Sequence, residues 1–285
     1  MYKIGYSLGN INQTEEMFVK CRHAGIRNVE ISCHNLEEVQ NVDFAKMRQY
    51  GEENEVNLWS FHLPFGPFSE IDISSANENV RRNCVKILCE YIKRAADIGI
   101  DKYIIHPSAE PIEEKDRPYR LEKAKESLAS LAETASGCGG VMAVEDLPRS
   151  CLGRDSSEML ELLSADSRLR SCFDTNHLLK ENPADYIGKV GDKIITTHVS
   201  DYDFVNERHW LPGEGKMDWP AVLAALQKIN YSGVWLYEIG LKCPKTIIRD
   251  RDLTCEDFVR NANEIFSGKK PTVFSRPKPN LGMWE

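Results

Sequence analysis

The chain has 285 residues, 41% of them hydrophobic, which is enough to bury one large core. With 36 lysines and arginines against 44 aspartates and glutamates the formal charge is −8, and no like-charged block is longer than a few residues, so nucleic acid and anionic lipid are poor partners. The nine cysteines (Cys21, Cys33, Cys84, Cys89, Cys138, Cys151, Cys172, Cys243 and Cys255) are odd in number and include no C-x-x-C pair, which argues against a disulfide framework and fits a reducing compartment.

The chain runs into a strand-like segment at 3–8 with no charged leader and no long apolar stretch, so a cytoplasmic location without a membrane span is expected. From there, short β-branched or aromatic runs alternate with stretches of helical period, eight times over. The predicted strands are 3–8, 28–32, 57–63, 102–106, 141–145, 171–174, 194–199 and 234–239. The predicted helices are 15–24, 44–53, 78–98, 121–135, 157–164, 183–190, 219–229 and 255–266. Thr14, Asp155 and Asp218 are placed to cap helix starts, and Gly25, Gly99 and Gly233 to take left-handed caps at helix ends. Repeated βα units favour a parallel sheet, and eight of them in about 250 residues favour a closed (β/α)₈ barrel over an open sheet. The α/β barrel is expected to fill residues 1–267 as a single domain. The extension 268–285 has no period. Its apolar residues Val273, Phe274, Leu281, Met283 and Trp284 are expected to pack on the barrel or on a partner subunit in a homodimer.

In such a barrel the strand ends nearest the C-terminus build the active site. Here they carry His62, His106, Glu145, Asp174 and His198, followed by Glu238, with His177 just beyond the sixth strand and His209 in the loop after the seventh. Carboxylates at the ends of strands as apolar as Val141–Glu145 need a cationic partner, and a metal ion is the economical one. Mixed carboxylate and imidazole ligation suits Mn²⁺, Mg²⁺, Co²⁺, Fe²⁺ or Zn²⁺, and the lack of cysteine at these positions argues against a closed structural zinc site.

The motifs Val144-Glu145-Asp146-Leu147, Asp174-Thr175-Asn176-His177, His198-Val199-Ser200-Asp201 and Arg208-His209-Trp210-Leu211-Pro212-Gly213-Glu214-Gly215, in this order, resemble the xylose isomerase-like barrel superfamily. Within it they are similar to the sugar phosphate isomerase/epimerase group, which includes ketose 3-epimerases, hydroxypyruvate isomerases and inosose-processing enzymes. The resemblance implies one divalent metal on Glu145, Asp174, His198 and Glu238. It implies Glu145 and Glu238 as the catalytic pair that removes and returns a proton beside a carbonyl through an enediolate. It also implies His62, His106, His177 and His209 as substrate contacts, Arg208 as an anion clamp and Trp59 as a pocket wall. Three alternatives remain open on the sequence. One is an inosose-type dehydratase. Another is an abasic-site endonuclease with several zinc ions, for which His177, Glu207 and His209 stand at a third metal position. The last is a non-catalytic binding barrel.

Overall fold

Strands that are apolar on both faces need a layer of cover on each side, and alternation with amphipathic helices supplies it. A computed structural model of the protein describes residues 1–279 and 281–282; of the tail residues named above, Met283 and Trp284 lie outside the described residues. Eight strands follow in order: β1 (Lys3–Leu8), β2 (Asn28–Ser32), β3 (Asn57–His62), β4 (Lys102–Ile105), β5 (Val141–Glu145), β6 (Arg170–Asp174), β7 (Ile194–Val199) and β8 (Val234–Tyr237). Each pairs in parallel with the next, and β8 returns to β1 through Lys3↔Val234 to Tyr6↔Tyr237, closing the barrel.

The outer helices are α1 (Glu15–Ala24), α2 (Leu36–Gln40), α3 (Phe44–Asn54), α4 (Glu78–Ala96), α5 (Arg117–Gly137), α6 (Ser156–Leu163), α7 (Pro183–Val190), α8 (Trp219–Lys228) and α9 (Cys255–Phe266). Thr14, Asp155 and Asp218 accept backbone N–H bonds from Met17, Glu158 and Ala221 respectively. Gly25 and Gly99 take positive φ of 96° and 88° after α1 and α4. Gly233 does not. A Cβ there would stand 2.4 Å from the Tyr231 hydroxyl oxygen, so its glycine serves close packing, and Asn230 takes the left-handed turn instead (φ 55°). The short α2 begins at Asn35, whose side chain accepts from the Glu38 N–H; one and a half turns leave too little period to be read from sequence.

Two register shifts set the direction of the site residues. Between β2 and β3 the pairing passes from Val29↔Leu58 to Glu30↔Ser60, skipping Trp59, and between β6 and β7 it passes from Ser171↔Ile194 to Cys172↔Thr196, skipping Ile195. A bulge lets two consecutive side chains face the same way. Thus Ile195 packs inside the barrel with Ile104, Ala143 and Cys172, while Thr196 and His198 also point inward and His198 comes to lie beside Asp174.

The tail returns to the barrel. Its strand β10 (Ser275–Pro277) pairs antiparallel with β9 (Ile247–Arg249), and the Arg251 guanidinium lies 4.6 Å from the Phe274 ring centroid. Among the described residues no helix is long and apolar enough to cross a membrane.

Candidate functional site

Alternation along the strands sends one residue in two into the lumen, and at the C-terminal rim those residues are ionisable. Glu145 ends β5, Asp174 ends β6, His198 stands one before the end of β7, and Glu238 follows β8. Their ligand atoms all lie within 4.8 Å of one another. His198 Nδ1 is 2.8 Å from Glu145 Oε1, 3.5 Å from Glu238 Oε2 and 4.0 Å from Asp174 Oδ2. Asp174 is fixed locally: its Oδ1 accepts the Asn176 N–H at 2.6 Å, and its own N–H donates to Asp146 Oδ1 at 2.8 Å.

Three carboxylates around one imidazole do not all remain charged in a buried place. Burial drives Asp174 well above the usual carboxylate range, and Glu238 and Glu145 add to the effect. Burial pushes Glu145 the same way, but the charge of His198 and hydrogen bonds from His106, His198 and His62 hold it well below its ordinary value. Glu238 resists burial through His198 and His209 and falls to about 2. Burial alone would lower His198; Cys172, Glu238, Glu30 and Glu145 raise it far above an ordinary imidazole instead.

The donor set fits a divalent cation. Asp174 Oδ2 is buried with no hydrogen-bond partner and faces the other three ligands. Ligands held at about 2.0–2.6 Å from one ion stand at most roughly 4–5 Å apart, the spacing found here. His62 belongs to an overlapping group: its Nδ1 donates to the Leu63 carbonyl oxygen at 2.8 Å, its Nε2 is 3.0 Å from Glu145 Oε2, and ligand atoms of His62, Glu145 and His198 also lie within 4.8 Å of one another.

His106 Nε2 is 3.1 Å from Glu145 Oε2, and its ring stacks on Phe65 with centroids 4.3 Å apart. His177 Nδ1 donates to the Asp146 carbonyl at 2.7 Å and His209 Nδ1 to the Glu238 carbonyl at 3.1 Å, which aims both Nε2 atoms toward Glu207. His177, Glu207 and His209 form a second group of ligand atoms within 4.8 Å of one another, with Glu207 also 3.2 Å from Arg149. Burial raises the Glu207 carboxyl, but His177, His209 and Arg149 outweigh it and lower the pKa.

These groups line a cleft of about 180 Å³ with His34, Phe65, Phe68, Glu110 and Arg149, and a neighbouring lobe of about 470 Å³ between β1, β2 and β8 shares His34, His209 and Glu238. Two expected substrate contacts lie elsewhere. The Arg208 guanidinium is buried, donating to Asp203 at 2.9 Å and to the Gly282 carbonyl at 2.6 Å, so it latches the loop after β7 to the tail instead of facing the cleft. Trp59 lies below the site, where its Nε1–H donates to Thr196 Oγ1 at 3.0 Å across the lumen and the Lys102 ammonium sits 4.0 Å from its ring centroid. Replacing Trp59 by phenylalanine is therefore expected to lower unfolding stability by about 0.5–1.5 kcal/mol, the net worth of one hydrogen bond, which thermal melts of the two proteins check.

Sequence reasoning did not single out Asp201 or Glu214 as organisers of the β7 loop. Asp201 accepts from Gly213 N, Tyr202 N, Met217 N and Trp219 Nε1, while Glu214 accepts from Leu211 N and pairs with buried Arg249 at 2.7 Å. Glu30 was missed as well. It stands between Val29 and Ile31 in a strand whose five residues are all buried, a burial that alternation in sequence does not announce.

Residues 18–252 match the family model described as xylose isomerase-like TIM barrel. The chain is 27% identical over 214 residues to an uncharacterised protein of Methanocaldococcus jannaschii, covering 72% of each chain. It is 25% identical over 227 residues to the D-psicose 3-epimerase of Enterocloster bolteae, covering 75% of this chain and 72% of that one. In structure it superposes on a D-tagatose 3-epimerase-like protein with a TM-score of 0.78 at 22% identity, covering 93% of this chain and 97% of the other.

Proposed function

Because the chain belongs to the xylose isomerase-like TIM barrel family, we propose that it is a divalent-metal-dependent isomerase or epimerase of a small sugar or related hydroxy-carbonyl compound. The observation that carries this reading is the convergence of Glu145, Asp174, His198 and Glu238, from four successive strands, on one point. The similarity to a D-psicose 3-epimerase supports a ketose as substrate.

Glu145, Asp174, His198 and Glu238 would hold the ion, which supplies Lewis acidity to a substrate carbonyl and its neighbouring hydroxyl. The rest is the work of side chains. A proton on the carbon beside a carbonyl leaves only to a positioned base, and Glu145 and Glu238 are both held ionised at neutral pH. They approach the point from different strands, so one takes the proton and the other returns it. Return to the opposite face of the same carbon gives an epimer, and return to the neighbouring carbon gives an isomer. His106 contacts Glu145 at the cleft surface, and His177 and His209, held through Nδ1 by backbone carbonyls beside Glu207, would bind sugar hydroxyls.

The test is elemental analysis of the purified protein together with a screen of ketoses, inososes and their phosphates for deuterium uptake from solvent. One divalent ion per chain and exchange beside the carbonyl of a ketose are expected; metal-free active protein would overturn the reading. The group His177, Glu207 and His209 favours one second reading, an abasic-site endonuclease. Three zinc ions per chain with cleavage of abasic DNA would establish it, although the charge of −8 opposes binding to a phosphate backbone. Loss of water from an inosose would instead mark a dehydratase.

A further inference from the structure

In β2 a carboxylate occupies a position that a barrel interior ordinarily fills with an aliphatic side chain. Glu30 is fully buried, and among the described residues its one ion-pairing partner is His198. Ser7 and Ser60 are its lateral neighbours on the flanking strands, and the bulge that skips Trp59 is what brings Ser60 alongside. The Ser7 hydroxyl donates to Glu30 Oε1 at 2.9 Å and the Ser60 hydroxyl to Oε2 at 2.7 Å. From the opposite wall, His198 Nε2 stands 3.1 Å from Oε1 and 3.2 Å from Oε2.

An ionised carboxylate only accepts hydrogen bonds, so the His198 nitrogen facing Glu30 must carry a hydrogen and donate it. In a neutral imidazole the lone pair then falls on Nδ1, the atom that faces Glu145, Asp174 and Glu238. We propose that Glu30 is a positioning residue that fixes the tautomer and ring orientation of His198 from beneath, with Ser7 and Ser60 fixing Glu30 in turn, so that Nδ1 is offered to a divalent cation at the rim. This rests on the metal-dependent reading above for the identity of what Nδ1 meets. A carboxylate behind a ligating histidine also makes the ring a stronger donor, and removing such a partner typically costs 10–100-fold in metal affinity.

The experiment is calorimetric titration with Mn²⁺ alone, without substrate, on the full chain and on Glu30→Gln. The visible absorption of Co²⁺-loaded protein reports ligand geometry in parallel. Glu30→Gln is expected to bind Mn²⁺ about 10–100-fold more weakly, with a displaced cobalt band and an unchanged far-ultraviolet circular dichroism spectrum. The double variant Ser7→Ala/Ser60→Ala, which keeps the carboxylate and frees its orientation, is expected to move both readouts in the same direction by less. Wild-type affinity and spectrum in Glu30→Gln overturn the proposal; should that variant fail to fold, unchanged binding in the double serine variant does so. If the wild-type chain binds no Mn²⁺, the metal-dependent reading falls together with this inference. If the wild type binds and Glu30→Gln matches it, this inference alone falls.

Discussion

Glu238→Gln is expected to lower kcat on the accepted ketose by about 10²–10⁴-fold, the usual contribution of a positioned general acid or base, with an unchanged circular dichroism spectrum. Glutamine keeps the volume and one oxygen for a cation but cannot take a proton. The site offers no ready substitute, because Glu145 is already engaged by His62, His106 and His198. Glu238 is the more accessible of the two, with its side chain 24% exposed against 1% for Glu145, and it borders both lobes of the cleft. Deuterium uptake into substrate should fall with kcat if Glu238 removes the proton, and should outlast turnover if Glu238 returns it. Full activity in this variant would remove the two-base chemistry. Glu145→Gln is expected to be equally inactive, and it also leaves three histidines without the anion they face.

Asp174→Asn is expected to do two opposite things: lose the metal and stabilise the metal-free protein. The carboxyl has a folded pKa raised by burial and by two neighbouring carboxylates. A raised carboxyl pKa means that the native state favours the protonated form. Ionising the group therefore costs stability as pH rises above its unfolded value of about 3.9, and the cost stops growing once the folded value is passed. Asparagine removes that cost and presents an amide donor to Glu145 and Glu238. In the presence of chelator, the variant should melt above wild type at pH 8, with the difference vanishing near pH 4. Its metal content after purification should be at background. A lower melting temperature at pH 8 would show that Asp174 is not held against its ionisation.

The strands and helices were legible because burial imposes a period on each, and the rim was legible because barrels place their chemistry at strand ends. What escaped reading depends on information a period does not carry. Trp59 lies one position from a residue that faces the site, and only the register shift between Val29 and Glu30 settles where it points. Arg208 sits in a motif suited to anion recognition, but Asp203 five residues earlier takes its guanidinium; the acid was visible in the sequence while the turn that joins them was not. Glu30 was hidden by the reverse error, since an acid between Val29 and Ile31 reads as a strand's solvent-facing residue until the barrel closes around it. The strand pairing of the tail rests on three residues including Pro277, too short a run to announce itself.

The skipped residues of β3 and β7 leave the lower barrel and its rim out of phase by one position on two of eight staves. At the skip Trp59 and Ile195 point inward, and above it so do His62 and His198. Loss of a skipped codon would only restore unbroken alternation, because Leu58 and Ser60, or Ile194 and Thr196, already pair with consecutive residues of the neighbouring strand. Loss of one codon between the skip and the rim, such as that of Phe61 or Thr197, would turn a rim imidazole out into the helical jacket while the bottom of the barrel kept its packing. The chemistry of this molecule is thus exposed to one-residue deletions in a way its fold is not, and related barrels could shed or regain a ligand without rebuilding the scaffold.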